Sequence, residues 1–305
     1  MLEKIKQLVN IYSYSYNQKN IELAINLCKS FYPLKYIKET THNGFKSALF
    51  SNYDGFDFDV LSLCHIDIVE CPMEMLQLKQ QNNIIYGRGV FDMKSFLISS
   101  LENLYRLQKN IKYGVLITSD EEIGGENGVK YWIDNFNLKT KILLDCDDGY
   151  NINTIVRKRY GTAMIDLLDS EENNLKFYNR NIKDKYYFTE LKNKNEVNIY
   201  FENEFNFKPF DKIKCNILQV NNPFVFNIKN TYTKKYIDLI EKHTNNKVVF
   251  STSKNSPDSR YFYKSADTII VNQATGGDNH KPTEWLDFES LKIFNQIQWE
   301  FLNGL

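Results

Sequence analysis

Histidine is scarce in this 305-residue chain, which carries only four. Cysteine is limited to Cys28, Cys64, Cys71, Cys146 and Cys215, with no CxxC pair. An odd set without that pair argues against a disulfide framework and fits reduced thiols in a cytoplasm. Net charge is missing too. Lys+Arg 38 balances Asp+Glu 38, so no general pull on nucleic acid or an anionic membrane is expected, and the expected partner is a small molecule. No apolar run reaches the roughly 18 residues of a membrane span. The N-terminal MLEKIKQLVNIYSYSY reads as an amphipathic helix with early lysines and lacks the long apolar core of a signal peptide. Internal repeats are absent. What is there, 42% hydrophobic residues in a chain of this length, suits a large α/β domain with room for a smaller insert.

Four segments share one design: FDVLSLCHID (58–67), YGVLITSDEE (113–122), TKILLDCDDG (140–149) and DTIIVNQATGGDNH (267–280). Each runs from a short apolar stretch into histidine or carboxylates. Such runs read as strands buried on both faces of a mostly parallel sheet flanked by helices. Helical periodicity is clearest over 92–108 and returns over 231–243 and 288–302. Ligands of open α/β sheets bind beyond the carboxyl ends of the strands, where these segments place their polar residues. From about 156 to 227 the texture changes to period-two alternation, which predicts antiparallel strands in a small inserted α+β or mainly β domain. The boundaries are therefore 1–155, 156–227 and 228–305, with the Asn/Lys-rich tract 171–197 expected as a long surface loop.

The candidate residues are each weak alone. His65 and Asp67 lie two apart, so in extended chain both point the same way and the carboxylate can orient the imidazole. Asp92 follows GRGVF, where a helix N-cap is the plain explanation. Asp120, Glu121 and Glu122 are three like charges in a row, and Asp145, Asp147 and Asp148 suit turn capping. His280 is followed four residues on by Glu284. Together, two histidines and several carboxylates at strand ends, without cysteine, suit zinc, and also cobalt or manganese, in a hydrolytic site. His42, in a THNG turn, and His243, at a helix end, have ordinary roles available.

The order HxD, GRGxxDMK, TSDEExGG, an acidic residue before glycine, and a late HxxxE resembles the co-catalytic zinc amidohydrolases. That family includes acetylornithine deacetylase, succinyl-diaminopimelate desuccinylase, aminoacylase and carboxypeptidase G. The resemblance implies two divalent ions. His65 with Asp148 would hold the first, Glu122 with His280 the second, and Asp92 would bridge them, with Asp147 and Asp145 within reach of the Asp148 place. It implies Glu121 as general base, Asp67 as partner of His65, and Arg260 in NSPDSRYFY as a grip on a substrate carboxylate. The implied reaction is hydrolysis of the amide bond of a small N-acyl amino acid or a dipeptide.

One departure stands out: the insert, about 72 residues by these boundaries, contains no histidine, whereas the family's insert usually brings one to help stabilise the oxyanion, often across a dimer. That leaves a homodimer open and points to Arg159, Lys158 or a backbone amide as the substitute donor. A compact zinc aminopeptidase without a lid, and a catalytically silent metal-binding relative, are the alternative readings.

Overall fold

A computed structural model describes the chain at all positions except 184, 185, 187, 192–194, 204, 206, 207 and 256. It forms two compact units. The first comprises Met1–Val156, Asn227–Phe250 and Pro257–Leu305, and the second Arg157–Phe226 with Ser251–Ser256.

The first unit is built on a six-stranded sheet of β1 (Tyr36–His42), β2 (Phe45–Ser51), β3 (Asp57–His65), β4 (Tyr113–Thr118), β5 (Lys139–Asp145) and β6 (Ala266–Val271), in the order β1-β2-β4-β3-β5-β6. The four strands anticipated from the sequence are β3, β4, β5 and β6, and they pair in parallel, while β1 and β2 add an antiparallel edge. All six residues of β4 are buried, as expected of a strand covered on both faces. Each large apolar residue so buried contributes about 1.5–3 kcal/mol. The helices are α1 (Leu2–Val9), α2 (Gln18–Phe31), α3 (Lys94–Arg106), α4 (Val129–Phe136), α5 (Thr231–Thr244) and α6 (Phe288–Gly304). Phe96 of α3 packs edge-on against Phe294 of α6, and Tyr236 of α5 against Phe301 of α6, within one apolar core.

In the second unit, Phe188–Leu191, Glu196–Phe201, Gly161–Leu167 and Cys215–Asn221 make an antiparallel sheet in that order. The predicted alternation buries Val197, Ile199 and Phe201 on one face, in a core of its own with Ile165 and Phe210.

Three expectations need correction. The tract 171–197 is not one long loop. Glu171–Phe177 is helical, capped by the Ser170 hydroxyl accepting from the Asn173 amide, and Phe188–Leu191 is a strand, while 184, 185, 187 and 192–194 lie outside the described residues. The N-terminal helix stops at Val9 and YSYSY (12–16) leaves it, because Ser13 and Ser15 turn inward: Ser13 Oγ donates to the Ile66 carbonyl at 2.7 Å. The helix predicted from 92 begins at Lys94, with no side-chain cap, since Asp92 is engaged elsewhere.

Candidate metal centre

The site lies at the carboxyl ends of β3, β4 and β5 and on two loops. β3 delivers His65 at its last residue. The loop before α3 delivers Asp92, whose peptide bond to Met93 is cis. A short 3-10 turn after β4 carries Glu121 and Glu122. Beyond β5 come Asp147 and Asp148, and His280 stands at φ +64 in the loop before Trp285–Asp287.

These side chains meet through Asp92. His65 Nε2 lies 2.9 Å from Asp92 Oδ1 and 3.9 Å from Asp147 Oδ1. His280 Nε2 lies 3.0 Å from Asp92 Oδ2 and 2.9 Å from Glu122 Oε2. Each oxygen of one carboxylate thus faces a different histidine. Among the described residues two sets of candidate ligands result, His65–Asp92–Asp147 and Asp92–Glu122–His280, with donor atoms within 4.8 Å of one another in each.

The sequence favoured Asp148 with Asp147 and Asp145 within reach, and of the three it is Asp147 whose carboxylate joins His65 and Asp92 in a candidate ligand set. Side chains alternate along extended chain. Asp145 and Asp147 share a side, and Asp148 turns away, its Oδ1 accepting from the Gly149 amide at 2.8 Å as the chain bends. Asp145 instead accepts from the Asp147 amide, at 3.1 Å.

Asp67 sits beside His65 as expected, though the nearest acceptor to Nδ1 is its backbone carbonyl at 3.0 Å, with carboxylate Oδ1 at 3.4 Å. Either contact directs Nε2 forward. Its other oxygen accepts from Ser15 Oγ at 2.8 Å and the Glu122 amide at 3.2 Å, so Asp67 ties the end of β3 to the turn after β4. Ser15 escaped the sequence reading because its partner lies 52 residues away. Asp120 supports the turn, accepting from the Asn127 and Gly128 amides, and burial pushes its carboxyl up to about 6. Gly125, at φ +65, has no room for a side chain, as a Cβ there would stand 1.8 Å from Asp258 Oδ1.

Arg260 is largely buried. Its Nη2 donates to the Gly124 carbonyl at 2.6 Å, and Nη1 lies 3.5 Å from Asp258 Oδ1. The structure places it under the Glu121–Gly125 loop, with its guanidinium engaged by protein groups.

The electrostatics call for cations. Burial, and then Asp147, pushes the Glu121 carboxyl well above its ordinary range, and burial with Asp92 does the same to Asp147 and, less far, to Glu122. Burial would depress the His65 pKa, but the carboxylates of Asp147, Asp67 and Asp92 outweigh it and hold it well above its ordinary value. His280 is raised to about 10 by Asp92 and Glu122. Crowded, desolvated carboxylates that resist ionisation, opposed by histidines that retain protons, fit a pocket whose charge balance is completed by metal.

A family model described as Peptidase family M20/M25/M40 matches residues 61–302. The chain belongs to this family. Its members are metal-dependent, in keeping with the two ligand sets. Succinyl-diaminopimelate desuccinylase of Wigglesworthia glossinidia brevipalpis is 33% identical over 153 residues, 41% of this chain and 40% of that protein. The [LysW]-lysine/[LysW]-ornithine hydrolase of Saccharolobus islandicus is 28% identical over 167 residues, 54% of this chain and 44% of that protein. The matches thus span less than half the length of these relatives. Among solved structures, an M20 family metallo-carboxypeptidase from Sulfolobus solfataricus aligns with TM-score 0.79 at 15% identity, covering 99% of this chain and 98% of that one. Human carnosine dipeptidase 1 aligns at 0.75 with 11% identity, covering 99% and 94%. These likenesses establish the mixed, mostly parallel α/β fold. Among the described residues no helix is long and apolar enough to cross a membrane.

Proposed function

We propose that the chain is a metal-dependent amidohydrolase that cleaves the amide bond of a small N-acyl amino acid or a dipeptide bearing a free carboxylate. The observation that carries this reading is the division of the Asp92 carboxylate, one oxygen toward His65 and the other toward His280. That arrangement fits two divalent ions, one held by His65 and Asp147, one by Glu122 and His280, with Asp92 shared. Imidazole and carboxylate donors without thiolate favour zinc, with cobalt and manganese compatible. When bound, the ions supply Lewis acidity that polarises a carbonyl and lowers the pKa of water.

The chain's own residues do the rest. Glu121, next to the ligand Glu122 and half-buried, is the general base: it takes a proton from the attacking water and passes it to the departing amine. Burial and then Asp147 raise its pKa in the absence of metal, and cations beside it would favour the ionised form that a base requires. Asp67 keeps the imidazole of His65 oriented. Arg260, close behind the same loop, is the candidate grip on the substrate carboxylate, and it must exchange its bond to the Gly124 carbonyl to serve. The second unit does not fit a compact aminopeptidase lacking an inserted domain.

The test is to measure bound metal and then hydrolysis of a panel of N-acyl amino acids and dipeptides by wild type and Glu121→Gln. Expected is activity in wild type and a loss of at least about 100-fold in the variant with metal content unchanged. An equally active variant would falsify the assignment of Glu121, and a wild type inert on the whole panel removes the function.

A further inference from the structure

Glu284 is fully buried and has no part in either ligand set. Its carboxylate is nevertheless held through both oxygens. Oε1 accepts from two successive backbone amides, Phe91 at 3.0 Å and Asp92 at 3.2 Å, and Oε2 accepts from Arg88 Nη1 at 2.6 Å. Arg88 is itself 3% exposed. The backbone repeats the tie, since the Gly87 amide donates to the Glu284 carbonyl at 3.3 Å, and Trp285–Asp287 pairs antiparallel with Ile84–Tyr86.

This places one carboxylate between the two loops on which the second ligand set depends. The segment Gly87–Asp92 ends in the shared Asp92, and Glu284 stands four residues after His280. An amide pair at Phe91 and Asp92 fixes the direction in which the Asp92 side chain leaves the backbone. A carboxylate can accept from both amides while its other oxygen takes the guanidinium. An amide side chain cannot, because its NH2 must face either the amide pair or Arg88.

We infer that Glu284, braced by Arg88, is a positioning residue that sets the Asp92 carboxylate so that its two oxygens can serve both ligand sets at once. This rests on the two-ion reading above and adds to it the residue that makes the sharing possible. The competing explanation is purely structural: a buried ion pair stitching Trp285–Asp287 to Ile84–Tyr86. The two differ in what they predict when both charges are removed, because an ion pair replaced by apolar groups is often neutral for stability, whereas nothing then holds the Phe91 and Asp92 amides.

The experiment is calorimetric titration of zinc into the metal-stripped full chain, with thermal melts, for wild type, Glu284→Gln and the double variant Arg88→Met/Glu284→Met. Orienting partners of metal ligands are worth about 10–100-fold in affinity. Expected are two zinc ions in wild type, zinc binding at least about ten-fold weaker in Glu284→Gln, and a double variant that melts like wild type yet keeps the weakened binding. Should Glu284→Gln not fold, the double variant carries the same comparison. Wild-type affinity in Glu284→Gln overturns the inference, as does a double variant that recovers both stability and affinity. A wild type that binds no zinc overturns the two-ion reading and this inference with it, so the two failures are distinguishable.

Discussion

A single carboxylate decides the difference between Asp147 and Asp148. Both are buried or nearly so, they are adjacent, and the family pattern fits either. Only Asp147 reaches within 3.9 Å of His65 Nε2. Asp147→Asn should therefore lose one equivalent of bound metal and nearly all activity, while Asp148→Asn keeps both; metal analysis of the two purified variants checks this, and the opposite result returns the ligand to Asp148. The sequence made His65, Asp92, Glu122 and His280 legible because each sits in a short motif whose order and spacing are distinctive. It favoured Asp148 and left Asp147 and Asp145 within reach, because the alternation of an extended strand fades where the chain turns, at a residue that local spacing does not mark. Ser15 and Glu284 acquire their contacts across 52 and more than 190 residues, separations that no local spacing encodes.

Two short elements meet over one acid at the next scale. The turn Glu121–Ile123 with its glycines lies above the 3-10 segment Asp258–Lys264, and between them Asp258 is 3% exposed with neither oxygen accepting a hydrogen bond. Burial pushes its carboxyl up to about 7 despite the opposing pull of Arg260. An unfolded aspartate titrates near 3.9, so the folded state binds the extra proton. Its contribution to stability is complete below about pH 4 and is lost as pH rises through about 7. The difference corresponds to roughly 4 kcal/mol at most. Asp258→Asn cannot ionise, so in metal-free protein its melting temperature relative to wild type should climb by several degrees between pH 5 and pH 8. Parallel melts at the two pH values check the sign; a constant difference would show that Asp258 does not titrate in this window. Sequence patterning located the four parallel strands of the six-stranded sheet, because runs buried on both faces announce themselves, and it missed the antiparallel edge of β1 and β2. It misread the ends of α1 and α3 and the helix Glu171–Phe177, where termination depends on what a side chain finds to bond: Ser13 on Ile66, Asp92 on two histidines, Asn173 on the Ser170 cap.

Across the whole molecule, the charge that the site lacks must come from outside it. Among the described residues every candidate ligand lies in the first unit, so bound metal should stabilise the chain unevenly. Each ion that binds only the folded state adds RT ln(1 + [L]/Kd), about 2.7 kcal/mol at a hundred-fold excess over Kd. Removing it exposes the repulsion among Asp92, Asp147, Glu121 and Glu122 within desolvated surroundings, a penalty larger than any surface cluster would show. Chelation should therefore lower the melting temperature and raise amide exchange at the ends of β3, β4 and β5, around His65, Glu121 and Asp147, before it reaches Gly161–Leu167 and Glu196–Phe201. Hydrogen exchange by mass spectrometry with and without chelator reads both units in one experiment. Equal melting of stripped and zinc-loaded protein would mean that the crowded carboxylates are balanced by protons alone, and with that the reason for assembling them at these three strand and loop ends would have to be found in something other than metal.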